Sequence, residues 1–368
     1  MATLRSELQF VAGVVTAVLF VVFGTTLLGD LSSPAWAGAM FGWLFAVMLW
    51  SSFGVVRHAD CLAILLGEPL GTLILTVSVI TIEVIMISAV MLVGENNPSL
   101  ARDTMFAVIM VVLNGMAGLS IVIGGLKHHE PEFNLQGSNA YLAILIPLSV
   151  LTLVVPTFTE KAPGGVPGPV LGVFLLVVCV VLYLVFLGIQ TKRHRDYFVQ
   201  PGKDGGTGHD SPDDHGFTVR GVPFHAALLV LTMIPIVVLS KSMARIVDHG
   251  IAVAGLPTAL GGLLVAVLVL SPEGLAAFRA AGANMLQRSM NISMGSALAT
   301  ISLTVPSVLV IGLVTGREVE LGLAPLDMTL LVLTLATMMV NASGQRTNVL
   351  QGFVHLTLFA AYLVLLFD

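Results

Sequence analysis

The sequence predicts an all-α polytopic membrane protein of about eleven transmembrane helices, one extra N-terminal helix followed by two inverted five-helix repeats. Three observations predict it. The 368 residues are 56% hydrophobic and 10% charged, with a mean hydropathy of +0.98, where a soluble domain is roughly a quarter charged. The apolar residues fall in blocks of about 17 to 25, long enough to cross a hydrocarbon core of about 30 Å as helices. The third and eighth blocks each carry one carboxylate at matched positions, Glu83 and Glu273.

The first half contains spans at about Leu8–Leu28, Ala35–Val56, Gly67–Val93, Thr104–Leu126, Ala140–Phe158 and Val166–Ile189. Ala35-Trp36-Ala37 looks like a signal-peptide cleavage site, but the apolar stretch of about 21 residues before it exceeds the 7–15 of a signal core. It reads as a retained first span. The second half contains spans at about Val222–Val247, Leu256–Ala281, Ile292–Leu313, Leu321–Ala342 and Val349–Phe367. The expected domains are therefore the extra helix at 1–34, a first five-helix repeat at 35–189, a cytoplasmic linker at 190–221 and a second repeat at 222–368.

The linker is the one long polar stretch, and it suits a solvated, mobile segment. Its Asp204, His209, Asp210, Asp213, Asp214 and His215 also leave open a divalent-ion site at the surface. The net charge of −5 says little about partners because most charges lie between spans, and no basic cluster points to nucleic acid. Cys61 and Cys179 are far apart and apolar in context, which fits small buried hydrophobes rather than a disulfide or thiolate metal site. Basic loops stay in the cytoplasm. An inside N-terminus leaves only Arg102, Lys161, Lys241, Arg245 and Arg317 of the 16 Lys and Arg outside, so that orientation is expected.

An ionisable residue within a span is costly and is a functional candidate by default. Glu83 lies near the middle of the third span. Glu273 follows Pro272 and precedes Gly274, a setting expected to break or kink the eighth helix. Superposing them at an offset of 190 residues pairs Gly71 with Gly261, Leu73 with Leu263, Val77 with Val267, Val79 with Val269 and Thr81 with Ser271. The two spans are five apart, so they run through the membrane in opposite directions. Secondary transporters with such inverted repeats place substrate near the midplane at the repeat interface.

Several stretches resemble the calcium:cation antiporter superfamily, and within it the bacterial calcium/proton antiporters of the ChaA type. They are Val56-Arg57-His58-Ala59-Asp60, Gly67-Glu68-Pro69-Leu70-Gly71-Thr72, Ala101-Arg102-Asp103-Thr104, Pro272-Glu273-Gly274-Leu275, Asn284-Met285-Leu286-Gln287-Arg288-Ser289 and Arg346-Thr347-Asn348-Val349-Leu350-Gln351-Gly352. The resemblance covers nearly the whole chain. It implies a bacterial inner-membrane protein that exchanges a cytoplasmic cation for protons, with one essential glutamate per repeat and no cofactor; Glu83 and Glu273 occupy those positions. Its partners would be the lipid bilayer, inorganic cations and protons, with the oligomeric state open. The wider superfamily has Gly-Asn-Ala before each glutamate, where this chain has Val79-Ile80-Thr81 and Val269-Leu270-Ser271. ChaA-type members share this departure, and calcium, sodium and potassium all stay open as cargo.

A hard cation such as calcium takes six to eight oxygens from carboxylates, carbonyls, hydroxyls and water. On a helix Thr72, Thr76, Val79 and Glu83 share one stripe. Thr76, Ser271, Asn114, Ser293, Ser296 and Thr300 are candidate oxygen donors, with hydroxyls bonded back to their own helix as the alternative. Glu68 before Pro69 suits a helix cap or a ligand. His355 suits a hydrogen-bonded core histidine or a proton relay, and His58, Asp60, Asp248 and His249 suit solvated span ends or a vestibule. An intramembrane enzyme is disfavoured because there is no His-Glu-x-x-His pair. A passive channel is disfavoured because channels usually form rings of subunits.

Overall fold

The computed structural model describes residues 7–66, 78, 80–88, 98–160, 164–201 and 220–368. Among these, eleven helices follow one another, and the only β pairing is an isolated antiparallel bridge between Glu132 and Arg346. Helix α1 is Leu8–Leu27, α2 Pro34–Leu66, α3 residues 80–88, α4 Leu100–His128, α5 Leu135–Phe158 and α6 Pro169–Arg193. The second half supplies α7 Val222–Ala254, α8 Ala259–Gly282, α9 Leu286–Thr315, α10 Pro325–Asn341 and α11 Val349–Leu365. Each helix coincides with one apolar block, because inside a bilayer only a helix satisfies the backbone within its own segment.

The chain gathers into two compact units, each drawing on both halves of the sequence: Met1–Asn96 with Gly205–Pro272, and Asn97–Asp204 with Glu273–Asp368. In the first unit α2 and α7, both 33 residues long, pack along each other, and α1 packs on both. Leu44, Met48, Val55, Ile236 and Leu239 form this core, joined by Ile82 and Met86 of α3 and by Leu268 and Val269 of α8.

In the second unit α4 packs against α10 and α11, whereas α9 packs against α5 and α6. Exchanging α4 with α9, α5 with α10 and α6 with α11 turns one set of contacts into the other. The loops obey the same exchange. Phe133 N–H donates to Gln345 O (3.1 Å) and Thr347 N–H to Pro131 O (3.3 Å), joining the loops before α5 and α11. Leu321 and Gly322 N–H both donate to Gly165 O (2.9 and 3.0 Å), joining the loops before α10 and α6. These matched contacts are what an inverted repeat produces.

Helices α4 and α9 are also the innermost: 83% and 67% of their apolar windows are buried, and no other long span exceeds 44%. Close crossings permit this. A Cβ on Gly352 of α11 would lie 2.8 Å from Gly118 O, and one on Gly118 of α4 would lie 2.9 Å from His355 Cβ. Small residues let backbones approach this closely in membrane helix pairs.

Three sequence expectations need correction. Of the break or kink expected at Pro272, the break does not occur: helix α8 continues through it from Ala259 to Gly282. A proline removes one hydrogen bond, but a break would strand further backbone groups in hydrocarbon, and buried Leu268, Val269 and Leu270 hold the segment in register. Helix α2 runs on past Val56 to Leu66, because Arg57 and His58 meet the Glu7 carboxylate instead of bulk water. The linker is not wholly a solvated run: Phe198 packs edge-on against Tyr141 and Phe186, and Asn291 Nδ2 donates to Phe198 O at 2.7 Å. Asp204, His209, Asp210, Asp213, Asp214 and His215 lie outside the described residues.

Candidate functional site

Glu83 sits in α3 with only 1% of its surface exposed. Ile80, Ile82, Met86 and Ile87 of the same helix are buried as well. A buried ionised carboxylate is costly unless paired, hydrogen-bonded or bound to a cation. Thr72, Thr76 and Val79 of the expected stripe lie outside the described residues, as does Glu68.

Glu273 is half-buried in α8, with its Oε2 sealed from solvent. It follows Pro272, and the boundary between the compact units falls between the two residues. A Cβ on the next residue, Gly274, would lie 3.6 Å from Sδ of Met116 in α4. The Glu273 end of α8 thus meets α4 at the end of an irregular stretch.

That stretch is a π-helix, Met110–Met116, and α9 has its own at Thr300–Thr304. Their starting residues differ by the same 190 positions as the two glutamates. π segments widen the helix and concentrate at functional sites. Asn114 lies in the first and Thr300 in the second, both buried. Periodicity in the sequence gives no sign of either.

The side chain of Asn114 is engaged. Its Nδ2 donates to Thr334 Oγ1 (2.7 Å), and its Oδ1 faces His355 Nδ1 at 2.9 Å. His355 Nε2 lies 2.7 Å from Asn341 Nδ2, which can only donate. The ring therefore accepts at Nε2, donates from Nδ1 and is neutral, a hydrogen-bonded core histidine as the first of the two sequence readings has it.

The hydroxyls divide into two kinds. Ser271 Oγ donates to Val267 O of its own helix. On α9, buried Ser289, Ser293, Thr300 and Thr304 follow a helical stripe, with half-buried Ser296 between them. Among the described residues the hydroxyls of Ser289, Ser293 and Ser302 are sealed without a hydrogen-bond partner. Each such group costs about 1–3 kcal/mol. Sequence reading overlooked Ser289, which lies on this stripe, and Ser302, which lies off it. Asp103 of α4 is buried as well, held by Ser99 Oγ and Arg102 Nε, both at 2.9 Å. His249, a span-end candidate, meets Leu31 O at 2.9 Å.

Comparison with known proteins places this arrangement in a family. The chain is 43% identical over 317 residues to a putative ionic transporter, y4hA, of Sinorhizobium fredii, covering 85% of this chain and 84% of that one. It is 42% identical over 324 residues to the sodium-potassium/proton antiporter ChaA of Escherichia coli, covering 87% and 86%. The Ca2+/H+ antiporter ChaA of Bacillus subtilis is more distant, 22% identical over 311 residues. Two solved structures share the fold: native YfkE, with a TM-score of 0.73 at 18% identity over 98% of this chain and 99% of that one, and the H+/Ca2+ exchanger CAX, with 0.70 at 14% over 98% and 88%. The sodium/calcium exchanger protein family profile matches residues 36–192 and 224–367, omitting α1 and most of the linker and taking in both five-helix halves. The chain belongs to the sodium/calcium exchanger protein family.

Proposed function

We propose that the chain is a secondary active antiporter that moves cytoplasmic calcium, and at the same site sodium or potassium, against protons by alternating access at Glu83 and Glu273. One observation carries this reading: each inverted repeat offers one intramembrane carboxylate, on the equivalent helices α3 and α8. A bound cation requires both carboxylates ionised, whereas an apolar setting favours the protonated form when no cation is present. Protons and metal then compete for one site. The cation-loaded and doubly protonated forms are both near neutral, so either crosses in the conformational change, while the empty ionised form is penalised. Exchange without leak follows.

Oxygens beyond the carboxylates come from Ser296 and Thr300, from Thr76, and from water and backbone carbonyls at the π segments. Asn114 and Ser271 act at one remove, given their hydrogen bonds. The repeats are those at 35–189 and 222–368. The protein sits in the bacterial inner membrane with its N-terminus and the 190–221 linker in the cytoplasm, the side favoured by the Lys and Arg distribution.

A second reading, exchange of sodium or potassium without significant calcium, draws support from the name of the 42% identical relative. Inverted vesicles separate the two. Calcium, sodium and potassium are added singly, and proton movement is followed with a pH-sensitive dye. The proposal expects a calcium response; a response to the monovalent ions alone selects the second reading, and flux without counter-movement of protons removes both.

A further inference from the structure

Away from the glutamates, the first compact unit holds a second cluster of titratable groups. Glu7 at the start of α1, Arg57 and His58 on α2, and Arg220 and His225 at the start of α7 meet there. Both histidines are buried, 1% and 3% exposed. Phe224 presents its ring edge-on to each, and Arg220 lies over Phe224 at 4.6 Å.

The protons in this cluster have only one consistent arrangement. Arg220 N–H donates to His225 Nε2 at 3.0 Å. A backbone amide cannot reverse its role, so Nε2 accepts and the His225 proton sits on Nδ1. That atom lies 3.0 Å from His58 Nδ1, which must accept in turn. The His58 proton is then on Nε2, 3.1 Å from Glu7 Oε2. The same carboxylate oxygen receives Arg57 Nη2 at 2.5 Å. Arg57 Nη2 also lies 3.2 Å from His58 Nε2, but both atoms are donors converging on Glu7. The chain runs from the Arg220 amide through His225 and His58 to Glu7.

We propose that His58 and His225 with Glu7 form a second proton-binding site, separate from the transport carboxylates, whose occupation unlatches the start of α1 from α2 and α7. The neutral pair makes every hydrogen bond. One more proton cannot be placed without conflict: on His58 Nδ1 it faces the Nδ1–H of His225, and on His225 Nε2 it faces the Arg220 amide. Arg57 and Arg220 oppose the added charge, while Glu7 favours it. Burial also disfavours the added charge, so the latch is complete at neutral and alkaline pH and opens only below the ordinary histidine range. This goes beyond the antiport reading, since the site binds protons whether or not a cation moves.

Histidine-selective 15N NMR on the full-length protein in lipid nanodiscs tests it, with His58→Gln and His225→Gln used to assign the two rings among the nine histidines. The expected result is opposite tautomers at about pH 8, Nδ1–H on His225 and Nε2–H on His58, lost together only once the pH is taken below the ordinary histidine value of about 6.5. Identical tautomers, or rings that titrate independently, overturn the proposal. A second arm measures cation-driven proton flux against pH. Both variants are neutral at every pH and should lose the part of the profile that follows the paired transition, without change in cation affinity at alkaline pH. Profiles identical to the parent protein overturn the regulatory role. The NMR arm needs no transport, so its outcome is independent of whether the antiport reading holds.

Discussion

His355 Nδ1 lies 2.9 Å from Asn114 Oδ1, joining α11 to the π segment of α4 in the most buried part of the second unit. The contact exists because Gly118 and Gly352 bring the two backbones together. Replacing His355 with leucine removes a partner from Asn114 and from Asn341, and leaving such groups buried and unmade costs about 1–3 kcal/mol each. His355→Leu should melt measurably lower in detergent than the parent protein. His355→Gln, which can still donate and accept, should recover part of the loss. Equal melting temperatures would show that the network adds nothing to the fold.

Glu83→Gln and Glu273→Gln should each abolish cation-driven proton flux while leaving the protein folded and inserted. Glutamine keeps the shape and removes the charge that both cargoes require. Near-normal flux in either variant would end the paired-site reading.

Competition sets the pH dependence. A cation that must displace protons binds more weakly as pH falls, by up to about tenfold per pH unit for each proton released. Titrating calcium-driven proton movement at several pH values should show apparent affinity falling toward acid with maximal flux little changed. Magnesium should be exchanged poorly, because it demands octahedral geometry and dehydrates reluctantly. Calcium affinity independent of pH, or magnesium carried as well as calcium, would contradict a shared carboxylate site.

The linker should divide functionally at its midpoint. Neutral replacement of Asp204, His209, Asp210, Asp213, Asp214 and His215 should leave maximal flux intact; complete loss in a correctly inserted variant would refute this, and a shift in activation by calcium would point to surface sensing. Phe198→Ala should instead lower stability, by less than the roughly 1.5–3 kcal/mol of a fully buried large apolar side chain. Phe198 is half-buried against Tyr141 and Phe186. Thermal melting of the two variants separates these roles.

The positions of the helices were legible in the sequence because the bilayer acts locally. Every block long enough to cross must satisfy its own backbone, so length and hydropathy alone place α1 to α11, and charge in the wrong place marks Glu83 and Glu273. The repeat was legible for the same reason, since two carboxylates in antiparallel spans leave few other architectures. What hydropathy misreads is a polar residue whose partner is distant. Arg57 and His58 look like a span end and are instead helix interior, because Glu7 and His225 wait for them across 50 and 167 residues of chain.

The sequence by itself thus determined a membrane-spanning, twice-repeated bundle with one intramembrane carboxylate in each copy. Only the tertiary structure decided that α4 and α9 are the most buried long spans, that each carries a π segment at the matched position, that Asn114 is bound to His355, and that His58 links His225 to Glu7. Hydropathy is a sum over neighbouring residues. A hydrogen bond depends on which donor meets which acceptor, and that is fixed only when helices far apart in the chain pack together.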